Sequence, residues 1–307
     1  MPDMEWSQTI ERALAASPGL ETWSGHFRNR ITELEDVSRY WPGERVQRAL
    51  EIGCGNGLAA IYFSPRADRI VASDLAGVDM NAHSIGLEYA RKFIDRMSIK
   101  NVELLGCSAE AIPLPDQSFD LVYGIYCLEH VPDRAKALLE VRRVLRGGGQ
   151  TLLTVPGFSW SLFYPFVFHY ELGKRIAGRL KRKFFPAQSQ GALPAGEATA
   201  QVKVTSAGSF FRNYPHFPLP EPHGTHSSWG AELFYYRASN WKRVMETAGF
   251  TNVVVEPVSF LPAFVKALLP NALAAAAERG FKRWPAFAPW AQFFCLRGEA
   301  PALPAKG

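Results

Sequence analysis

A glycine-rich turn carries the clearest chemical signal in the sequence. Residues Glu51–Gly57 read Glu-Ile-Gly-Cys-Gly-Asn-Gly, and they join a short apolar run to a helical pattern that starts at Leu58. Glycines in such a turn let the backbone approach a ligand closely, because no Cβ atom intervenes. Asp74 ends the next apolar run, and an acidic residue about 20 positions after the turn is suited to hydrogen-bonding both hydroxyls of a ribose. The two features predict a cradle for a ribose-containing cofactor.

The glycine spacing argues against a nicotinamide site. A G-x-G-x-x-G turn would have its last glycine at position 58, where the chain has Leu58, and positions 59 and 60 are alanines. The Tyr-x-x-x-Lys pair of many NAD-dependent enzymes is matched only by Tyr170 and Lys174, which lie after the fifth predicted strand. An NAD-dependent oxidoreductase or epimerase is therefore the disfavoured alternative.

Three histidines are candidates for a catalytic base. His130 follows the fourth predicted strand, whereas His223 and His226 lie in a later loop-rich stretch. Imidazole titrates near neutral pH and could accept a proton from an acceptor hydroxyl. An ordinary packing or loop role is the alternative for each histidine. His223 and His226 have no Cys, Asp or third His at motif spacing, so no metal site is predicted.

The pattern of elements predicts how these residues are positioned. Short apolar runs alternate with helical stretches from Arg48 to Pro156, which is typical of β-α-β units. We expect an α/β, Rossmann-like fold with a seven-stranded, mostly parallel sheet, helices on both faces and an insert after the fifth strand. Gly147–Gly149 is expected to end the third core helix, and Ser239 to cap the last helix. The predicted strands are 49–52, 69–73, 102–105, 121–125, 150–155, 252–258 and 291–297, and the predicted helices are 58–63, 81–98, 133–145 and 239–248.

Composition changes divide the chain into segments. At 307 residues with 47% hydrophobic and 21% charged residues, the chain can bury a substantial core. Residues 158–237 are aromatic, basic and proline-rich, and we expect them to form a lid over an acceptor. The predicted segments are an N-terminal helical part at 1–47, a cofactor-binding core at 48–157, the insert at 158–237, a C-terminal part of the core at 238–299 and a tail at 300–307.

The positive charge of the chain is local. The formal net charge is +5, and the stretch 158–185 alone holds six Lys or Arg residues and one Glu. Within it, apolar residues recur at every fourth position from Leu172 to Phe184, which predicts a basic amphipathic helix over 172–184. Such a helix would suit a membrane surface or an anionic, lipid-linked substrate, and an ordinary solvated face is the alternative. A single basic helix without a reading motif argues against nucleic acid as a partner.

The cysteines and the N-terminus bear on location. Cys54, Cys107, Cys127 and Cys295 are scattered without C-x-x-C spacing, which predicts reduced thiols. The first residues contain no apolar stretch of the kind found in secretory signals, and no run of 18 apolar residues occurs. We expect a cytoplasmic protein that can contact the inner face of the membrane through residues 172–184.

Several segments together resemble the class I S-adenosylmethionine-dependent methyltransferases, in particular the ubiquinone/menaquinone methyltransferase-like (type 11 methyltransferase domain) group. The resemblance covers about Arg48 to Pro156. One departure is Ser108, which stands where the family commonly has an aspartate for the adenine amino group. The matching segments are 49–57, 73–74, 109–120, 129–131 and 145–149. The cofactor-binding residues that the resemblance implies are Glu51, Gly53, Cys54, Gly55, Asn56, Gly57, Asp74, Leu75, Ser108, Ala109, Glu110 and Tyr126.

The resemblance also implies a reaction. A methyl group would pass from S-adenosyl-L-methionine to a small-molecule, glycan or lipid-linked acceptor, with oxygen as the expected acceptor atom. Much of the catalysis can come from positioning the two reactants. His130, His223 and His226 are the candidate bases. A non-catalytic protein that binds S-adenosylmethionine is the remaining alternative.

Overall fold

The computed structural model describes residues 2–15, 24–77, 86–166, 169, 173, 222–261, 265 and 269–301. Apart from Gly173, the predicted basic helix at 172–184 lies outside the described residues, as does most of the predicted insert. The role expected for that helix therefore stays a prediction. Among the residues described, no helix combines the length and the apolar character needed to cross a bilayer.

One seven-stranded sheet forms the centre of the protein. Its strands run in the order β3-β2-β1-β4-β5-β7-β6. The first five strands along the chain are parallel, whereas β7 runs antiparallel to both β5 and β6. This confirms the predicted mostly parallel sheet and puts the ends of β1 to β4 at one edge. The strands are β1 (Val46–Ile52), β2 (Ala67–Asp74), β3 (Val102–Gly106), β4 (Phe119–Ile125), β5 (Leu145–Pro156), β6 (Thr251–Ser259) and β7 (Phe293–Glu299).

Helices cover both faces of the sheet, as the sequence predicts. In one buried apolar cluster, the helix residues Ile10, Leu34 and Phe93 pack against one face of the sheet. In a second cluster, the helix residues Val141 and Trp241 pack against the other face. Short 3-10 helices occupy Ser64–Arg66, Leu128–His130 and Pro285–Trp290, and residues 158–166 are helical after β5. The α-helices are α1 (Pro2–Ala15), α2 (Ser24–Ser38), α3 (Leu58–Phe63), α4 (Leu87–Arg96), α5 (Arg134–Val144), α6 (Trp229–Tyr235), α7 (Ala238–Thr247) and α8 (Asn271–Arg283).

Three predicted helix boundaries are wrong. The helix predicted at 81–98 includes Gly86, whereas α4 begins at Leu87. Helix α5 ends at Val144, and the chain enters β5 at Leu145, so the glycines at 147–149 lie inside the strand and do not end the helix. Pairing with β4 skips from Leu145 to Gln150, so the glycines form a bulge, and Gly148 has a φ of +77°. Helix α7 begins at Ala238, and no side chain caps it, so Ser239 lies in its first turn.

Candidate functional site

The predicted glycine turn links β1 to α3 at the edge where the parallel strands end. Gly53, Gly55 and Gly57 have φ values of +67°, +55° and +78°, a region that L side chains rarely adopt. A Cβ atom on Gly53 would come closer than 3.0 Å to the Cβ of Cys127, which is the second residue after β4. The turn is therefore folded tightly, with Gly53 against Cys127 near the end of β4 and Gly57 against Ala90 of α4. Such a cradle fits a cofactor that contacts main-chain atoms.

Asp74 lies beside this turn because β1 and β2 are neighbouring parallel strands. Its Oδ2 accepts a hydrogen bond from the Gly55 N–H at 2.7 Å, and its Oδ1 accepts one from the Leu75 N–H at 2.7 Å. Each carboxylate oxygen has a second lone pair that a ribose hydroxyl can use. The two bonds thus orient the carboxylate and couple it to the turn.

Glu51 lies beneath the turn. Its side chain is buried, and the Tyr123 hydroxyl donates to Glu51 Oε2 at 3.2 Å. Burial is the main cause that raises the pKa of Glu51 to about 8, so the carboxyl group is protonated at neutral pH. Burial likewise raises the pKa of the Cys54 thiol, which makes this cysteine an inert packing residue.

Ser108, Ala109 and Glu110 follow β3 at the same edge of the sheet. Ser108 Oγ accepts a hydrogen bond from the Glu110 N–H at 3.1 Å, which closes a local turn. The Glu110 carboxylate accepts from the Asp133 N–H at 2.9 Å, at the start of α5. Pairing of Asp74 with Gly106 holds this segment next to Asp74. Of the predicted cofactor residues in this segment, Glu110 binds the start of α5 and Ser108 is a partly exposed residue.

Tyr126, one of the predicted cofactor-binding residues, directly follows β4. It has a φ of +55°, and its main-chain N–H is held by Thr154 of β5. The Arg30 guanidinium lies 4.4 Å from the centroid of the Tyr126 ring, and the Phe293 ring lies 4.6 Å from it. Burial is the main cause that raises the pKa of Tyr126, so its hydroxyl stays protonated. The strained backbone redirects the chain from β4 into the 3-10 helix Leu128–His130.

His130 and His223 are brought together, although they are far apart in sequence. Their ring centroids are 4.8 Å apart, and the Trp160 ring lies 4.4 Å from His223. Burial, the largest cause, lowers the pKa of His130 and lowers that of His223 to about 4. Both imidazoles are therefore neutral at pH 7, so one ring nitrogen of each carries a lone pair, but each is a weaker base than a free imidazole.

His226 is not part of this pair. Its Nε2 lies 2.7 Å from Arg134 Nη1, and its ring stacks on Tyr235 with centroids 4.4 Å apart. Burial and then the charge of Arg134 lower the pKa of His226 to about 4. In this arrangement His226 fastens the loop of residues 222–228, hereafter the histidine loop, to the start of α5.

Sequence reasoning missed three residues that shape this region. Arg134 donates to the carbonyl oxygens of Leu128 and Glu129 and also to Thr225 Oγ1. Glu232 Oε1 accepts from the Gly224 N–H at 2.7 Å. Glu129 is buried, and burial raises the pKa of its carboxyl group to about 7. Glu129 lies in the matching segment 129–131, but no role is predicted for it from the sequence, whereas Arg134 and Glu232 carry no local signal.

Comparisons with known proteins agree with this site. The methyltransferase domain family matches residues 50–153, which contain the glycine turn and Asp74. The chain is 36% identical over 170 residues to the aklanonic acid methyltransferase DauC of Streptomyces sp. strain C5, an alignment that covers 54% of this chain and 73% of that protein.

Two further relatives match over shorter regions. The chain is 37% identical over 106 residues to the uncharacterized methyltransferase YcgJ of Bacillus subtilis, covering 34% of this chain and 39% of the relative. It is 36% identical over 109 residues to the ubiquinone/menaquinone biosynthesis C-methyltransferase UbiE of Xanthomonas oryzae, covering 36% of this chain and 41% of the relative. These two matches thus span about two fifths of the relatives' lengths.

The fold, the glycine turn and the match across most of a curated relative all point to one group. The left-handed glycines and the oriented carboxylate of Asp74 suit the nucleoside of S-adenosylmethionine, which is the cofactor of that group. The chain belongs to the class I S-adenosylmethionine-dependent methyltransferases.

Proposed function

We propose that the protein transfers a methyl group from S-adenosylmethionine to an oxygen atom of a small aromatic acceptor. The observation that carries this proposal is an aromatic cluster that adjoins the cofactor turn. We define the cluster as Tyr126, Trp160, Tyr164, His223 and Phe293. Flat rings of this kind stack favourably on a planar acceptor and exclude water from it.

A series of contacts connects the cluster to the turn. Gly53 lies against Cys127, and the preceding residue, Tyr126, packs on Phe293 with centroids 4.6 Å apart. Phe293 and Trp160 are 6.4 Å apart, and Trp160 stacks on Tyr164 at 4.7 Å. An acceptor that binds against Trp160 would therefore lie on the side of the sheet edge that carries the cofactor turn.

The residues of the chain divide into two roles. The glycine turn and Asp74 bind and orient the nucleoside, and bound S-adenosylmethionine supplies an electrophilic methyl group. His130 is the proposed base, because its side chain is 48% exposed and its imidazole is neutral. It would take the proton from an acceptor hydroxyl. His223 would position the acceptor ring through its contacts with Trp160 and Tyr164.

Methylation at carbon is the second candidate. The Xanthomonas relative is named as a C-methyltransferase of ubiquinone and menaquinone biosynthesis, and the Streptomyces relative as an aklanonic acid methyltransferase. An aromatic cluster would bind a quinone-like ring as well as a phenol. Glycan and lipid-linked acceptors have no such support from the described residues, and the membrane contact proposed for 172–184 awaits a liposome sedimentation test.

A direct assay tests the proposal. Purified protein is incubated with methyl-labelled S-adenosylmethionine and separate sets of phenols, hydroxyquinones and sugars, and products are identified by mass spectrometry. The position of the label by NMR distinguishes oxygen from carbon as the acceptor atom. Labelling of phenols or hydroxyquinones at oxygen supports the proposal. Labelling of sugars alone, or tight cofactor binding without any transfer to these compounds or to a cell extract, contradicts it.

A pair of variants tests the aromatic cluster. Trp160→Ala removes a ring that contacts His223, Tyr164 and Phe293, and we expect at least a tenfold rise in KM for the acceptor with an unchanged Kd for the cofactor. Phe166→Ala is the matched control, since this aromatic residue follows in the same helical segment but is 64% exposed. Equal effects of the two changes would argue against an acceptor site at Trp160.

A further inference from the structure

We propose that Glu129, His130 and His223 form a binding site for a divalent transition-metal ion. One potential ligand atom from each residue lies within 4.8 Å of the other two. Glu129 Oε1 and His130 Nε2 are 4.0 Å apart. Ligand atoms around a tetrahedral Zn²⁺ with bonds of about 2.1 Å lie roughly 3.4 Å apart, so small side-chain rotations would close the set.

The Glu129 carboxylate points to a ligand that the protein itself does not provide. Its side chain is 1% exposed, and Oε2 has no hydrogen-bond partner among the described residues. A buried carboxylate oxygen without a partner is costly, and a bound cation would compensate for the lost solvation. This isolated oxygen is a second observation beside the clustering of the three residues.

The two arginine side chains near Glu129 form their hydrogen bonds with other groups. The Arg134 guanidinium donates to the main-chain carbonyls of Leu128 and Glu129 and contacts His226, so it binds the backbone of Glu129 and not its carboxylate. Arg30 donates to Glu33 at 3.1 Å and lies over the Tyr126 ring. Within the described part of the chain, neither guanidinium therefore donates a hydrogen bond to the Glu129 carboxylate, although the charges of both lower the pKa of that group.

The histidine loop is held in place by hydrogen bonds of its main chain. The Thr225 N–H donates to the Glu129 carbonyl at 3.1 Å, and the Gly224 N–H donates to Glu232 Oε1 at 2.7 Å. A Cβ atom on Gly224 would come closer than 3.0 Å to the Glu129 carbonyl, so the loop touches the 3-10 helix directly. Such fixed surroundings orient metal ligands before the ion binds.

The donor set selects the class of ion. Two imidazoles and one carboxylate suit Zn²⁺, Mn²⁺, Fe²⁺ or Co²⁺, whereas Mg²⁺ and Ca²⁺ prefer oxygen ligands. Three protein ligands leave coordination positions open, and the half-exposed His130 lies on the accessible side of the cluster. An acceptor oxygen could bind there and become more acidic. This use of the ion rests on the proposed function and would replace His130 as the proton acceptor, because an imidazole nitrogen that binds the ion cannot also take up a proton. The binding of the ion does not rest on the proposed function.

Metal binding is measured directly on the full chain, produced without a histidine tag and dialysed against chelator. Zn²⁺ is titrated by calorimetry, and Co²⁺ by its visible d–d absorption. We expect one ion per chain and a Co²⁺ spectrum of low-symmetry coordination. Absence of saturable binding, or binding of several weak ions only, overturns the proposal whether or not the protein transfers methyl groups.

Variants locate the site. Glu129→Gln and His223→Ala should each weaken Zn²⁺ binding at least tenfold, and His130→Ala should do the same at a position whose side chain is 48% exposed and therefore tolerates the change. His169→Ala, an exposed histidine outside the cluster, is the matched control and should change the affinity less than twofold. Thermal unfolding and S-adenosylmethionine affinity verify the fold of each variant. Unchanged Zn²⁺ affinity in folded His130→Ala and His223→Ala proteins overturns the assignment.

Discussion

Gly53→Ala tests the way the cofactor turn is built. Gly53 has a φ of +67°, and an added Cβ would come closer than 3.0 Å to the Cβ of Cys127. Two independent penalties therefore act at this position. One is the cost of a left-handed backbone for alanine, and the other is a collision with the Cys127 side chain, two residues after the end of β4.

The size of each penalty can be worked out from the structure. A left-handed conformation costs an L residue about 1–2 kcal/mol, offset by about 0.4–1 kcal/mol because alanine restricts the unfolded chain. Overpacking in a tight interior adds about 1–3 kcal/mol. We expect Gly53→Ala to lower the free energy of unfolding by about 2–4 kcal/mol, a large part of the about 5–15 kcal/mol typical of a folded protein. Displacement of the turn should also weaken S-adenosylmethionine binding at least tenfold.

Gly43→Ala separates the two penalties. Gly43 has a φ of +68°, nearly the same as Gly53, but an added Cβ would meet nothing within 4 Å. The control should therefore lose about 1 kcal/mol or less and keep its cofactor affinity. Urea unfolding gives the stabilities, and calorimetry gives the affinities. Adding Cys127→Gly to Gly53→Ala removes the colliding Cβ and should recover stability in a double-mutant cycle. Equal destabilisation by the two alanines would refute the contact between Gly53 and Cys127.

Three further changes test other parts of the site. The pKa of Glu51 is raised to about 8, so the folded protein holds a proton that the unfolded chain releases near pH 4.5, and stability falls as pH rises between these values. Glu51→Gln should abolish this dependence. Measured by urea unfolding, the free energy of unfolding of the variant relative to wild type should rise by at least about 2 kcal/mol between pH 5 and pH 8. Asp74→Asn loses a charged acceptor of two backbone N–H groups and should raise the Kd for S-adenosylmethionine at least tenfold by calorimetry, without unfolding the protein. Arg134→Met removes the hydrogen bonds that join the histidine loop to the 3-10 helix, and it should lower the free energy of unfolding in urea by about 2–3 kcal/mol. The control Arg45→Met breaks an exposed ion pair and should lower it by less than about 1 kcal/mol.

The cofactor side of the site was predictable because its signals are local. The β1–turn–α3 unit is contiguous in sequence, and the observed helix Leu58–Phe63 coincides with the predicted one. Asp74 ends β2, and parallel pairing of β1 with β2 is enough to bring its carboxylate to Gly55. The boundary at Gly147–Gly149 was not predictable in the same way. A glycine triplet suits a helix end as well as a bulge, and only its pairing with β4 decides between them.

By itself, the sequence determined the alternation of strands and helices, the cofactor turn and its acidic partner, since each depends on residues within one β-α-β unit. Only the tertiary structure decided which histidine has which surroundings. His130 and His223 converge because the histidine loop returns across the sheet edge and is held by Glu129, Arg134 and Glu232, whereas His226, three residues further on, is bound to Arg134. Apart from the bond between Gly224 and Glu232, these contacts join residues about 90 positions apart. No spacing rule encodes them, because their energy comes from burial and hydrogen bonding that exist only after the sheet has formed.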